Sequence, residues 1–180
     1  MGIVSFLVVG TVRRGACLIA QECFEEGIAG MREGISATLA TEGTPPALFW
    51  CFLVSGLGRI GRPQEGLEVA EEGLASVAKT GEQNANPSLH HVKGELLLAQ
   101  NLPDRANAEQ CFHTAIGIAR QQSARSAELR ATTSLARLLA KQGRRDETRA
   151  MLAVIYGWFT EGFDTADLKD AKALLDELMA

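Results

Sequence analysis

Apolar residues return at three- and four-residue intervals along most of this chain, the spacing of one helix face, and no stretch alternates apolar and polar residues over a strand's length. Trp50, Leu53, Val54 and Leu57 form one such stripe, and Leu168, Ala171, Leu174, Leu175 and Leu178 form another. Punctuation sets the boundaries. Pro45-Pro46 predicts a helix over about 46–59 with Thr44 as its cap, and Pro63 opens a second over about 63–79. Asn86-Pro87 opens one running to about 100, and Pro103-Asp104 marks an enlarged turn before 105–121. Helices over 125–141 and 145–158 follow, and Asp164-Thr165 is expected to cap a last one ending at Leu178. The apolar run Gly2 to Gly10 is either a core-packing first helix or a strand-like remnant at the chain end. The chain is all-α.

The helices repeat in pairs. Gly27, Ile28, Met31, Gly34 and Ile35 match Gly66, Leu67, Ala70, Gly73 and Leu74, and the template recurs at Ala108, Phe112, Ala115 and Ile116. Thr148, Leu152, Ile155 and Tyr156 are a looser copy, so the anchors 27, 66, 108 and 148 lie 39, 42 and 40 residues apart. The preceding helices supply the other half of each unit: Trp50 to Leu57 with Gly61 at the turn, Thr132, Leu135, Ala136 and Leu139 with Gly143, and looser sets at Gly15/Leu18 and Gly94/Leu97. This pattern resembles the tetratricopeptide unit of about 34 residues, slightly lengthened. The expected architecture is an α-α superhelix of four hairpins, at about 5–41, 45–80, 87–121 and 125–158, closed by a capping helix at 165–179. Gly15 and Gly94 are expected where helices cross closely. A lone hairpin cannot bury both faces, so each unit must lean on its neighbour.

Composition narrows the function. The 180 residues carry 18 Lys+Arg against 22 Asp+Glu, a formal charge of −4, and no basic block of five or more. That charge offers no field for phosphate backbones or anionic lipid, so neither a nucleic acid nor a membrane is expected as partner. Cys17, Cys23, Cys51 and Cys111 are scattered without a C-x-x-C pair and three of them lie in apolar surroundings, as expected of reduced, buried thiols in the cytoplasm. The N-terminal apolar run lacks a basic n-region and falls well short of the ~20 residues that span a bilayer.

Catalytic signatures are weak. Gly56-Leu57-Gly58-Arg59-Ile60-Gly61 is a literal G-x-G-x-x-G, but no β-α-β unit surrounds it, and a helix end and turn explain the same residues. His91 and Glu95 share a helix face without a third metal ligand, while Cys111 and His113 point to different sides. No cofactor, metal or catalytic residue is expected. The useful constellation is the inner face of the array, where Ser55, His91, Glu95, Arg130 and Arg137 fall between the packing positions. Arg130 and Arg137 stack on one face, suited to holding a partner's carboxylates; the other reading is an ordinary solvated face with Glu128 nearby.

From about Gly66 to Leu178 the chain also resembles the C-terminal helical-repeat region of bacterial signalling proteins that join a class III adenylate/guanylate cyclase domain to an AAA-type ATPase domain. The residues that carry this are Lys93 to Leu98 (KGELLL), Ala108 to Phe112 (AEQCF), Leu129 to Arg137 (LRATTSLAR), and above all Tyr156 to Leu168 (YGWFTEGFDTADL) followed by Ala171 to Leu175. Weaker similarity reaches Arg14-Gly15-Ala16 and Glu25 to Ile28; residues 1–12 do not fit. Neither catalytic domain is present, so the resemblance implies a non-enzymatic regulatory module, detached by gene truncation or read from an internal start. Its partner would be a protein or peptide, such as a cyclase/ATPase polypeptide; a small-ligand sensor is the alternative. Tyr156, Trp158, Phe159 and Phe163 are then either a docking patch or a turn whose rings cover the end of the array.

Overall fold

The computed structural model describes residues 2–41, 43–80 and 86–179, with side chains at 9–41, 43–79 and 86–179. Among them the chain forms α1 (Gly2–Ala20), α2 (Phe24–Ala40), α3 (Ala47–Arg59), α4 (Pro63–Thr80), α5 (Asn86–Ala99), α6 (Arg105–Gln121), α7 (Arg125–Lys141), α8 (Arg145–Tyr156) and α9 (Ala166–Met179), with no strand. The N-terminal apolar run is therefore helical, although the packing of its first side chains lies outside the described ones. Consecutive helices pack as hairpins, α1 on α2 through α7 on α8, and α9 closes the end against α7 and α8. The odd-numbered helices also pack against one another in a row, α1 to α3 to α5 to α7 to α9. Even-numbered helices show no such backbone approach among the described residues and meet through long side chains, as in the Arg32–Glu65 ion pair between α2 and α4. The inner edge of the array is thus the odd row, as in a tetratricopeptide-like solenoid.

The stripes expected from the sequence form the interior. Trp50, Leu53, Val54 and Leu57 join Val12, Met31 and Leu89 in one buried cluster spanning α1 to α5. Phe112, Ala115, Leu135 and Leu139 anchor a second, and the whole leucine stripe of α9 packs on Leu129, Ala136, Leu152 and Ile155 in a third. The repeat anchors Gly27, Gly66, Ala108 and Thr148 are all buried at the outer helix of each hairpin. Close crossing explains two of the glycines. A β-carbon at Gly15 would stand 2.8 Å from the Gly27 carbonyl oxygen, and one at Gly94 would stand 2.5 Å from the Phe112 ring.

Four turns share one hydrogen-bond scheme. The amides of Cys23, Arg62, Ala124 and Arg144 donate to the carbonyls of Leu18, Leu57, Ala119 and Leu139, each five residues back. The residue before each amide is left-handed: Glu22 at φ 66°, Gly61 at 73°, Ser123 at 55° and Gly143 at 83°. This is the Schellman closure, in which glycine meets no steric penalty. Gly61 and Gly143 are accordingly turn residues, and the G-x-G-x-x-G string is the end of α3.

Several expectations need correction. Pro46, not Thr44, precedes α3, and no side chain caps it, because the fixed backbone of proline already sets the helix entry. α8 ends at Tyr156, two residues early, where the Trp158 and Phe159 amides bond back only three residues, to Ile155 and Tyr156, and break the register. At the start of α9 the Thr165 hydroxyl donates to the Gly162 carbonyl. Cys51 and Cys111 are buried, but Cys17 and Cys23 are exposed at the α1–α2 turn. Glu128 is not on a solvated face: it is buried between Arg120 and Arg125, at 2.6 and 2.8 Å.

Candidate interaction surface

The residues assigned to the inner face come from α3, α5 and α7, and the odd-row packing decides which of them meet. His91 and Glu95 lie one turn apart on α5, with His91 Nε2 at 3.6 Å from Glu95 Oε1. The same nitrogen makes a 2.9 Å hydrogen bond with Ser134 Oγ of α7. The imidazole packs at 5.9 Å from the Phe112 ring, which fixes it from below. Burial pushes the Glu95 carboxyl up, but hydrogen bonds from His91 and Ser134 and the charge of Arg137 outweigh it and hold its pKa below the ordinary carboxylate value. Ionised, Glu95 is the negative pole of the surface.

α7 supplies the positive pole. Arg137 is bonded to Asp170 of α9, a contact that raises the guanidinium's pKa against the effect of partial burial. Arg130 donates from Nη1 to Asp167 Oδ2 at 3.0 Å. Both arginines remain partly open to solvent, at 43% exposure each, so each has donors to spare after its internal pair is made. An open cleft of about 360 Å³ runs beside Arg137, lined also by Glu95, Ser134, Leu98, Pro103 and Leu138; Arg130 is not among its lining residues. Ser55, half-buried on α3, does not line it.

Ser134, Asp167 and Asp170 were not picked out from the sequence. Ser134 falls between Arg130 and Arg137 at helical spacing, so the face it shares was legible. The two aspartates sit 37 and 33 residues beyond their arginines, and only the docking of α9 brings them together.

The aromatic segment divides. Phe159 packs against the α7–α9 cluster and Tyr156 lies 5.9 Å from Phe163, so these rings cover the end of the array. Trp158 is 55% and Phe163 46% exposed. Trp158 stands edge-on to Phe159 and carries the Arg125 guanidinium over its face at 5.1 Å. Among the described residues no three His, Cys, Asp or Glu side chains gather to hold a metal, and no helix is long and apolar enough to cross a membrane.

No family model matches the chain, and no curated protein matches it in sequence. Solved structures do match. A Podosopora anserina protein described as kinesin light chain with nearly identical TPR-like repeats aligns at TM-score 0.73 and 16% identity, covering 99% of this chain and 87% of that one. A single-substitution variant of that protein aligns at TM-score 0.75, with the same identity and coverage. BtubC (BKLC) of P. vanneervenii aligns at TM-score 0.70 and 16% identity over 98% of this chain and 80% of that one. At such identity the likeness establishes the tetratricopeptide-like fold.

Proposed function

We propose that this chain is a non-catalytic protein-binding module that presents its inner helix row to a polypeptide partner. The carrying observation is the convergence of His91, Glu95, Ser134 and Arg137 from two neighbouring helices beside an open cleft. Polar groups held in place by their own hydrogen bonds lose little freedom when a partner replaces water around them. The resemblance to the C-terminal repeats of cyclase–ATPase signalling proteins makes a polypeptide of that kind the first partner to try, bound in trans in the cytoplasm. In this reading the array is a single unit with repeats at 5–41, 45–80, 87–121 and 125–158 and a cap at 165–179, and exposed Trp158 and Phe163 extend the docking surface.

Affinity capture with the full chain tests the proposal. Arg130→Ala with Arg137→Ala is expected to lose the captured polypeptide at unchanged helicity. Asp167→Asn with Asp170→Asn leaves the arginines in place and is expected to retain it. Equal recovery by wild type and the arginine variant would refute the role of this face.

A second reading, a small-ligand sensor, draws support from the cleft, whose volume of about 360 Å³ is at the lower end of the range for small-molecule sites. A metabolite that raises the melting temperature of the full chain, with no polypeptide captured, would favour it.

A further inference from the structure

Three arginines at helix starts pair with an acid three residues on; Arg145, the first residue of α8, instead donates to the Glu177 carbonyl at 2.8 Å, and Arg105 has neither kind of partner among the described residues. Beside α4, Arg62 pairs with Glu65 three residues on; at α7, Arg125 pairs with Glu128; at α8, Arg144 pairs with Glu147. Each carboxylate neutralises a cation placed at the positive end of a helix dipole. Arg105, the first residue of α6, has Ala108 at the corresponding place, and α6 carries no acidic residue in its first turn. The neighbouring Asp104 is engaged elsewhere, accepting from the Asn107 amide at 3.1 Å and from its side chain at 2.6 Å. Arg105 therefore sits at the unfavourable end of its helix with no ion-pair partner among the described residues, and the fold gives no reason for it there.

Lys141, the last residue of α7, is likewise exposed and without an ion-pair partner among the described residues, and it lines the same cleft as Arg105. Leu98, Pro103 and Leu138 line the same cleft and give it an aliphatic part. Glu95, ionised, also lines the cleft, as does Arg137, whose guanidinium is already bonded to Asp170.

We propose that this cleft between the third and fourth hairpins is the docking site of an acidic peptide segment. Arg105 and Lys141 take its carboxylate, and an aliphatic side chain next to that acid rests on Leu98, Pro103 and Leu138. The inference rests on the module reading above and specifies where on the module, and through which chemistry, a partner binds. Glu95 repels a carboxylate from its own wall of the cleft, where Arg137 is already paired with Asp170.

The test is a titration of the ¹⁵N-labelled full chain with an acetylated and amidated Leu-Glu-Leu-Glu peptide, followed by amide shifts. Saturable shifts are expected at Ala99, Arg105 and Gln142, none with the Leu-Gln-Leu-Gln analogue, and binding weakened at least about tenfold in Arg105→Ala with Lys141→Ala. Equal binding of the glutamine peptide, or an unweakened double variant, would overturn the proposal. The same shifts with inorganic phosphate at equal concentration would also overturn it, in favour of a bare anion site. A protein partner recovered equally by wild type and by the Arg105/Lys141 variant overturns the cleft assignment and leaves the module reading standing. If the wild type recovers no partner, the module reading fails by itself, and the titration still decides the cleft.

Discussion

Arg137 of α7 is bonded to Asp170 of α9, so one of the two arginines suited to a partner's carboxylate already holds one from its own chain. Arg130 does the same with Asp167. Both pairs are partly exposed, which limits each to about 0–1 kcal/mol. Asp167→Asn with Asp170→Asn should therefore lower stability by at most about 2 kcal/mol. A urea unfolding curve of the full chain checks this, and a larger loss would mean that these two pairs contribute more than exposed ion pairs do.

Removing α9 altogether should be far more damaging. Leu168, Leu174, Leu175 and Leu178 are all buried, and burial stabilises by roughly 1.5–3 kcal/mol for each such side chain. Deleting residues 164–180 would uncover Leu129, Ala136, Leu152 and Ile155 and widen the exposure of Tyr156. Leu139 belongs to the α6–α7 cluster and should stay protected. The truncated chain is expected to self-associate in size-exclusion chromatography; a monomer with unchanged melting would contradict this.

Gly94→Ala tests the closest helix crossing away from the N-terminal hairpin. The new methyl would stand 2.5 Å from a fully buried Phe112 ring, so ring or helix must move, at a cost of typically about 1–3 kcal/mol. The helix-propensity gain of alanine, up to about 1 kcal/mol, offsets only part of it. Adding Phe112→Leu should make the two losses less than additive in thermal denaturation, because the clash disappears with the ring.

Acid should weaken the fold in two stages. Burial, together with the nearby Lys93 charge and against that of Glu71, lowers the His90 pKa from 6.5. The unfolded chain then takes up the proton first, so this stability is complete above pH 6.5 and falls as pH drops below it. The depressed Glu95 pKa acts in the same direction at lower pH: its contribution is complete above 4.5 and fades as pH falls through the folded-state value. His90→Gln should flatten the first decline and Glu95→Gln the second, read as melting temperature against pH.

The helices were legible because prolines and glycines mark their ends: Pro63 and Asn86-Pro87 stand at observed helix starts, and Gly61 and Gly143 at turns. The miss at the end of α8 has a local cause. Tyr156, Trp158 and Phe159 continue an apolar pattern that looks helical, yet the backbone turns at Gly157. Exposure of Cys17, in the last turn of α1, and of Cys23, just before α2, was not legible, since cysteine is usually buried. Of the surface, the faces carrying His91, Glu95 and Arg137 could be deduced from helical spacing. Their partners Ser134 and Asp170 could not, because they lie 43 and 33 residues away and meet them only through packing between units.

The hairpins are joined along the odd-numbered row and by each even-numbered helix packing on the odd helix that follows it, while the outer helices α2 and α4 meet through a partly exposed ion pair, so the array is expected to bend like a strip whose inner side is the stiffer. Small rotations about the inner seam change the spacing of the outer edge without pulling buried leucines apart. Bending of such a strip is expected to open its outer edge, where side chains meet, before it separates α5 from α7, whose Leu98 and Leu138 pack in one cluster.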